Sequence, residues 1–582
     1  MRPLTLSLLL SIAVANAASG GWLQWGRNGR HDSNSPAVGH PLGRIEAELV
    51  VDPHAELEKQ VSGGVLLVHY QVPLIDGDDL YLVLKGGEYT SNTQRQTQTW
   101  GVRNVRRNGT SYNERWNYRS DWKPVQSGNR NNNEPGWEPV YHAVLTADAI
   151  WVPGFGGTID KVSRATGTLI QRFNPHGNSI DERIFAIGPP VADDAGNIYY
   201  HAIKLTEQMP FLNDPEGAWL VKIAANGTMS RAAWSSLVTG AVAADAMCNT
   251  QFAQAQLPWP PAPDAVVPTA RCGAQRPGVN VSPAVGPDGT IYTVSRAHRN
   301  QKYGYLVAVN PDLTPKWTTT LRERFLDGCN VLTIPTGQQG GCRAGTTNGY
   351  DPTENRPGSG GVSDDSTSSP MVLPDGKILY GAYSRYNYQQ GHLMMFAGDG
   401  TYERAYPFGW DLTPAVYQHD GTYSILIKEN HYNGHAFCGG NAANCPPNRS
   451  QVAPNDPEQY LITRLDANLR VEWQYRNRET QACERLPNGT MNCEDNGPQG
   501  FEWCVNAIAV DADGTVFANS EDGHLYAINR NGALRHRMFL RLALGAAYTP
   551  LSIGDDGRIY TQNDGRVFVV TGSAKRRASD KP

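Results

Sequence analysis

The chain has 582 residues, of which 40% are hydrophobic, 60 are glycine and nine are cysteine, and its formal net charge is −5. A small negative charge on a chain of this length excludes a dominant nucleic-acid or anionic-membrane partner. The hydrophobic fraction and the many glycines favour a turn-dense, all-β protein with an ample core.

The first residues have the pattern of a secretory signal peptide. Met1 and Arg2 form a charged start, residues 4–14 form an apolar run, and Ala15, Asn16 and Ala17 form a small-residue cleavage site. We therefore expect residues 1–17 to be removed and the protein to be secreted or periplasmic. The apolar run is too short to cross a bilayer, and no later segment is apolar enough to predict a membrane span.

A short apolar strand, a turn rich in Asp and Gly, and a second β-branched or aromatic strand recur eight times between residues 70 and 572. The clearest copies are residues 282–292, 369–380 and 507–517, and looser copies surround Asp76-Gly77, 146–148, 195–196, Asp420-Gly421 and Asp556-Gly557. An Asp-Gly pair between such strands predicts a β-hairpin with a type I′ turn, in which both turn residues have positive φ.

Each hairpin is followed by a third strand and often by a fourth, for which Trp234, Trp317 and Trp473 are candidates. Four strands per repeat without helical periodicity predict an all-β, eight-bladed β-propeller of four-stranded antiparallel blades. The last repeat supplies three strands, and residues 45–51 lack a local partner, so this N-terminal strand is expected to complete the last blade. The resulting single domain spans residues 22–572, and residues 573–582 are expected to be a disordered basic tail.

Eight of the nine cysteines fall into four pairs that are close in sequence and lie in long polar insertions. An oxidising compartment favours local disulfides, although connectivity does not follow from sequence alone, and a metal site is disfavoured because there is no Cys-x-x-Cys. The predicted pairs are Cys248 with Cys272, Cys329 with Cys342, Cys438 with Cys445, and Cys483 with Cys493. Cys504 is left over and is interpreted as a buried, unpaired thiol. Loops stapled in this way serve either function or resistance to proteolysis.

Residues 22–36, which read WLQWGRNGRHDSNSP, resemble the opening of pyrroloquinoline quinone (PQQ)-like propellers. Residues 368–376 and 520–528 resemble the blade motif of the same superfamily. The resemblance covers residues 22–572 and implies the quinoprotein alcohol dehydrogenase-like propeller fold, with PQQ and calcium as cofactors. The chain departs from the catalytic branch because it has neither two adjacent cysteines nor a Cys-x-x-Cys-His haem site.

In a propeller, the residues just before each innermost strand converge on the central channel. These positions carry small polar groups, which are candidates for a ligand pocket; a purely structural role, tying backbone groups of neighbouring blades together, is the alternative. The candidates for binding the cofactor are His142, Asn280, Ser368, Thr413, Asn506 and Thr549. Asp411 or Glu521 is the candidate catalytic base, and Asp364 and Asp365 are candidate calcium ligands, although acidic residues before a strand are also common in turns.

Two classes of function follow. The first is a quinoprotein-type oxidoreductase that acts on an alcohol or a sugar at the central funnel. The second is a propeller without quinone that binds a small molecule, a glycan or a protein through the stapled loops and an aromatic rim. The rim residues proposed from sequence are Trp116, Trp122, Tyr383, Tyr386 and Tyr388.

Overall fold

A computed structural model describes residues 20–91, 95–125, 138–207, 213–248, 270–331, 347–351, 356–385, 390–433, 443, 452, 456–544 and 549–572. The predicted signal peptide, the predicted C-terminal tail, Tyr386, Tyr388, Cys342, Cys438 and Cys445 lie outside the described residues. Among the described helices, none is long and apolar enough to cross a membrane.

The first half of the chain forms one early strand and then four blades, each built by strands that follow one another in sequence. The elements are β1 (Arg44–Val50) and α1 (Ala55–Val61); blade 1, β2 (Leu74–Asp76), β3 (Asp79–Gly87), β4 (Gln98–Asn108) and β5 (Ser111–Arg119); blade 2, β6 (Val144–Leu145), β7 (Ala149–Pro153), a 3-10 helix (Phe155–Gly157), β8 (Ile159–Ser163) and β9 (Leu169–Phe173); blade 3, β10 (Ile184–Ala192), β11 (Ile198–Lys204), β12 (Gly217–Ile223) and β13 (Met229–Ala233), followed by α2 (Trp234–Leu237); and blade 4, β14 (Gln275–Pro277), β15 (Ala284–Val285), β16 (Ile291–Ala297), β17 (Gly304–Val309) and β18 (Pro315–Thr320).

The second half adds a small sheet, an exposed hairpin and four more blades. The small sheet is β19 (Arg322–Phe325), β20 (Tyr350–Asp351) and β21 (Arg356–Ser359); blade 5 is β22 (Met371–Val372), β23 (Ile378–Arg385), β24 (Gln390–Phe396) and β25 (Tyr402–Tyr406); blade 6 is β26 (Ala415–His419), β27 (Thr422–His431), β28 (Gln459–Asp466) and β29 (Val471–Arg476); the hairpin is β30 (Gln481–Arg485) and β31 (Met491–Asp495); blade 7 is β32 (Ala509–Val510), β33 (Val516–Asn519), β34 (His524–Ile528) and β35 (Leu534–Phe539); and blade 8 is β36 (Leu551–Ile553), β37 (Ile559–Asn563) and β38 (Arg566–Thr571), completed by β1.

The eight-bladed antiparallel propeller predicted from the repeats is confirmed. In blade 4 the innermost strand is split, because β14 and β15 both pair with β16. β1 pairs with β38 as the outermost strand of blade 8, as predicted, so the two ends of the propeller chain are joined in one sheet. This closure leaves no blade without neighbours and covers the apolar sides of the sheets.

Residues 22–40, which we call the closing segment, run round the inside of the ring and touch every blade in order. Five of the contacts are made at the last residue of an innermost strand, so the closing segment lies at the end of the channel where those strands finish. The contacted residues are Ile75, Leu145, Ala192, Val285, Val372, Val416, Val510 and Gly557, through backbone hydrogen bonds and, at Ala192, the side chain of Gln24. The opposite end, where the innermost strands begin, is called the mouth.

Outer-strand tryptophans tie neighbouring blades together. The Nε1 of Trp317 in β18 donates to the Gly398 carbonyl at 3.0 Å, and the Nε1 of Trp473 in β29 donates to the Arg530 carbonyl at 2.9 Å. Trp234 differs from its prediction, because it begins α2 rather than lying in a fourth strand, and it donates to Ser295 of the next blade at 2.9 Å. Its side chain is buried, so it links blades from a different position.

A matched pair of glycines tests this packing. Gly400 and Gly376 both have φ near +82° to +86° in a hairpin turn, but a Cβ on Gly400 would lie 2.7 Å from the Trp317 ring, whereas a Cβ on Gly376 meets nothing within 4 Å. We expect Gly376→Ala to cost about 1 kcal/mol through its backbone conformation. Gly400→Ala should cost about 1–3 kcal/mol more, because the indole must move. Urea midpoints of the two variants measure the difference, and equal midpoints would show that the Trp317 contact is not tight.

The turns agree with the sequence only in part. Asp420 and Gly421 both have positive φ, as a type I′ turn requires. At Asp288-Gly289 only the glycine has positive φ, and the Gly289 amide donates to the Gly286 carbonyl at 2.9 Å. The type I′ prediction is therefore wrong at this turn, where the longer loop allows an ordinary turn closed by a left-handed glycine.

Two of the predicted disulfides lie within the described residues and are formed, Cys248–Cys272 and Cys483–Cys493. Cys329 is also disulfide-bonded, to a partner outside the described residues. Cys504 is a free, buried cysteine, as predicted. Disulfides of this kind are typical of proteins in oxidising compartments.

Candidate functional site

The predicted cofactor-binding residues lie at the mouth, but most of their side chains form hydrogen bonds with other residues of the protein. Asn280 accepts from the Val140 amide at 3.0 Å and donates to the Asp364 carbonyl at 2.8 Å. The Ser368 hydroxyl donates to the Gly381 carbonyl at 2.8 Å, and the Thr549 hydroxyl donates to the Cys504 carbonyl at 2.8 Å. These contacts match the structural alternative, in which the polar groups join blades.

His142 and Thr413 hold a side chain of the closing segment. The Nε1 of Trp25 donates to the Thr413 hydroxyl at 3.0 Å, and its ring lies edge-on to His142 with centroids 5.6 Å apart. These two residues precede blades 2 and 6, which stand opposite each other in a ring of eight. Trp25 therefore crosses the channel, and burial lowers the pKa of His142 to about 3, so its imidazole is neutral.

Asn506 is the exception among the predicted binding residues. Its side chain is fully buried, and neither its amide nitrogen nor its amide oxygen has a partner among the described residues. A buried amide without partners costs free energy and usually marks an absent water or ligand.

Asp364 is already neutralised by two arginines. Its carboxylate accepts from Arg276 at 2.6 and 2.8 Å and from Arg296 at 2.9 Å. Burial alone would raise the pKa of Asp364, but these guanidinium groups hold that pKa well below its usual range. A calcium ion would have to displace them. The calcium site at Asp364 and Asp365 stays a prediction, and these contacts do not favour it.

A contact between opposite blades narrows the mouth. The Nε2 of His69, before blade 1, lies 3.1 Å from the carbonyl of Asp365, before blade 5. Beside it, a small cavity is lined by residues that include His69, Lys85 and Glu138. The Lys85 ammonium lies 2.6 Å from Glu138 and 3.4 Å from Asp52, and it also pairs with Glu58. The Lys85 ammonium is therefore already paired with carboxylates of this chain.

Blades 6 and 7 supply a set of acidic groups and one lysine near Glu502 and Cys504, which we call the carboxylate cluster. The Tyr432 hydroxyl donates to Glu502 at 2.9 Å. The cluster consists of Asp411, Lys428, Glu458, Glu502, Cys504 and Glu521, whose members act electrostatically on Glu502 or Cys504. Four carboxylates against one ammonium leave the cluster negative when all are ionised.

Local structure explains why these groups meet. Thr413 and Ala507 form a parallel bridge, so the segment that contains Asp411 runs beside the segment that contains Cys504. The Glu521 amide donates to the Glu502 carbonyl at 3.0 Å, which brings the turn after β33 to the same place. The two predicted catalytic residues, Asp411 and Glu521, therefore lie in one cluster.

Burial dominates the electrostatics of the cluster. It raises the pKa of Glu502 to about 7; Tyr432 and Lys428 oppose the rise, and Glu458 and Asp411 add to it. Burial also raises the pKa of the Cys504 thiol well above its usual range, helped by Glu521 and Glu502. The Cys504 thiol donates a hydrogen bond to Glu521.

Sequence reasoning missed Lys428, Glu458 and Glu502. Lys428 lies in β27, and Glu458 immediately precedes β28, so neither stands before an innermost strand. Glu502 stands two residues from Cys504, and that spacing was the available signal.

The aromatic rim proposed from sequence is wrong for its described members. Trp116, Trp122 and Tyr383 are 8%, 2% and 5% exposed, so they are packing residues rather than a surface for a glycan.

The residues that the structure describes at the mouth do not fit PQQ. PQQ is a tricarboxylic acid, so its site needs guanidinium or ammonium groups that can receive carboxylates. At the described mouth, Arg276 and Arg296 bind Asp364, Lys85 binds three carboxylates, and the carboxylate cluster would repel an anion.

No protein-family model matches the sequence, and no curated protein matches it. Among solved structures, a europium-containing methanol dehydrogenase is similar, with a TM-score of 0.50 and 11% identity over 94% of this chain and 89% of that chain. A quinohemoprotein alcohol dehydrogenase from Comamonas testosteroni is similar with a TM-score of 0.52 and 12% identity over 97% of this chain and 83% of that chain. Identities this low show the fold alone. The chain therefore shares its propeller fold with these two dehydrogenases.

Proposed function

We propose that this chain is a secreted or periplasmic propeller that binds a cationic ligand at the carboxylate cluster and does not use a quinone. The observation that carries the proposal is the meeting of Glu502 and Glu521 at the Cys504 thiol, with Asp411 and Glu458 acting electrostatically on Glu502. A concave, partly buried group of like charges focuses an attractive potential for ions of opposite sign.

Neutral groups donate hydrogen bonds to two carboxylates of the cluster. Glu502 receives hydrogen bonds from Tyr432 at 2.9 Å and Asn430 at 3.4 Å, and Glu458 receives one from the Asn433 amide at 3.0 Å. These donors are neutral, so they orient the carboxylates but leave their charge in place. A cationic ligand would stabilise the ionised form of these two carboxylates.

The unpartnered Asn506 amide gives independent support. Asn506 lies two residues beyond Cys504, and its carbonyl accepts from the Thr413 amide at 2.8 Å, in the wall shared with Asp411. A ligand at this wall would satisfy polar atoms that the described chain leaves unpaired.

The extracytoplasmic location rests on the signal-like sequence of residues 1–17 and on the disulfides. Such a location exposes the mouth to amines and metal ions from the surroundings. The oxidoreductase alternative would need an anionic cofactor in the same place.

Isothermal titration of the full-length mature protein tests the proposal. Spermidine and Zn²⁺ serve as cationic probes, glucose as a neutral probe, and PQQ with Ca²⁺ as the quinone probe. We expect saturable binding of at least one cation and none of PQQ. Glu502→Gln should weaken cation binding at least about tenfold, because it removes a buried charge. Glu494→Gln, on the exposed hairpin, removes the same charge and should change the affinity less than about twofold.

Two results would overturn this function. One is the absence of saturable binding by both cations at low ionic strength, where electrostatic attraction is strongest. The other is saturable uptake of PQQ with its quinone absorbance, which would return the chain to the oxidoreductase class.

A further inference from the structure

Three metal-ligating groups of the carboxylate cluster lie together. A carboxylate oxygen of Glu502, the Sγ of Cys504 and a carboxylate oxygen of Glu521 are all within 4.8 Å of one another. Ligand atoms around a tetrahedral zinc ion stand about 3.5 Å apart, because zinc–sulfur and zinc–oxygen bonds are about 2.3 and 2.1 Å long. Small rotations of two glutamate side chains would close the remaining gap.

The backbone that carries these groups is fixed. The Cys504 carbonyl accepts from both the amide and the hydroxyl of Thr549, at 3.0 and 2.8 Å. The Glu502 carbonyl accepts from the Glu521 amide at 3.0 Å and from the Ser520 hydroxyl at 2.8 Å. A rigid frame of this kind keeps a metal site ordered before the ion arrives.

The thiol of the cysteine is buried against a carboxylate. Cys504 is 3% exposed, forms no disulfide, and points its thiol at the side chain of Glu521. The thiol and two carboxylates meet here, and Asn506, whose side-chain amide has no partner among the described residues, lies two residues along the same segment. A bound cation would stabilise the ionised forms of the thiol and the two carboxylates.

We infer that Glu502, Cys504 and Glu521 form a site for a divalent transition-metal ion such as Zn²⁺. This inference rests on the proposed function, because it names the cation that the carboxylate cluster takes. The sulfur ligand selects a borderline or soft ion over Ca²⁺ and Mg²⁺, which prefer oxygen ligands. When the ion binds, the Cys504 thiol loses its proton to solvent and its sulfur becomes the thiolate ligand. Three protein ligands leave a coordination position open for a small ligand.

Cobalt is the most informative probe, because a cobalt–thiolate bond gives a charge-transfer absorption that oxygen ligands do not. We expect Co²⁺, added to the chelator-treated full chain, to bind one ion per protein with this absorption, and Zn²⁺ to displace it. Cys504→Ser should abolish the absorption, and Glu521→Gln should weaken Co²⁺ binding at least about tenfold. Glu494→Gln should alter neither the spectrum nor the affinity.

The outcomes separate this inference from the proposed function. Binding of spermidine without binding of Co²⁺ or Zn²⁺ overturns the metal site and leaves the cationic ligand. Co²⁺ binding without the thiolate absorption overturns Cys504 as a ligand. Failure of spermidine, Co²⁺ and Zn²⁺ overturns both. If Cys504→Ser does not fold, the wild-type spectrum and Glu521→Gln still decide.

Discussion

Replacing Trp25 with alanine is expected to lower the free energy of unfolding by about 3–5 kcal/mol, the usual range for a buried tryptophan. Trp25 is 0% exposed, lies against His142 and donates to Thr413 at 3.0 Å. Its removal would open a cavity across the channel and leave a buried hydroxyl without its donor. The urea midpoint of tryptophan fluorescence, with the wild-type slope as reference, measures the change.

Trp473→Ala is the matched control. Trp473 is half-buried on an outer strand and donates to the Arg530 carbonyl at 2.9 Å. The Trp473→Ala variant therefore lacks an indole and a hydrogen bond, but its channel remains filled. We expect about half the cost of Trp25→Ala. If the two variants were equally stable, the closing segment would be an attachment on the ring rather than part of its core.

The closing segment also explains what sequence could predict. The repeat of strand, turn and strand is a local pattern, so the eight blades and the strand that completes the last one follow from it. The partner of Trp25 is 388 residues away in the chain. No local pattern encodes that contact. The sequence positions of His142 and Thr413 therefore predict ligand binding, whereas in the structure both residues contact the indole of Trp25.

The turns show a similar division. Asp420-Gly421 and Asp288-Gly289 carry the same dipeptide, but only the first has positive φ at both residues. In the first, His419 pairs directly with Thr422; in the second, Val285 pairs with Ile291, which leaves a longer loop. Loop length depends on strand register, and the dipeptide alone does not set it.

The carboxylate cluster was only half visible in the sequence. Asp411 and Glu521 stood at positions that the topology of a propeller sends to the channel. Lys428 is directed there by its place in β27, where it pairs with Ile462. Which face of a strand meets the next blade depends on register and twist, and a shift of one residue would turn Lys428 away.

Lowering the pH from about 6.5 to about 4 is expected to destabilise the protein steeply. Four histidines are buried and neutral, because burial lowers their pKa to about 4 or, for one of them, about 3. Below pH 6.5 the unfolded chain takes up these protons and the folded chain does not, so stability falls with pH. Each group contributes about 1.4 kcal/mol per pH unit at most. The residues are His31, His69, His142 and His201.

Two glutamates act in the opposite direction. Burial raises the pKa of Glu58 to about 8 and that of Glu502 to about 7, so the folded chain holds their protons and gains stability as pH falls from about 8 to 4.5. A fifth histidine, the half-buried His176, also has its pKa lowered to about 4 by burial. Between pH 6.5 and 4.5 the balance is therefore five histidines against two glutamates, or at most about 4 kcal/mol per pH unit. As the pH falls to about 4 and below, the folded chain also takes up the histidine protons, and the dependence of stability on pH levels off.

Single variants isolate the histidine contribution. His201 is fully buried, with Nε2 2.9 Å from the Thr293 hydroxyl, so His201→Gln keeps a polar group there and removes one titrating ring. Its plot of unfolding free energy against pH should be flatter than that of the wild type by about 1.4 kcal/mol per pH unit between pH 6 and 4.5. His536 is exposed, and His536→Gln should leave the slope unchanged. A wild-type slope in His201→Gln, or constant stability from pH 7 to 5, would mean that the folded protein admits protons or water to these rings. The channel around them would then be open rather than filled by the chain.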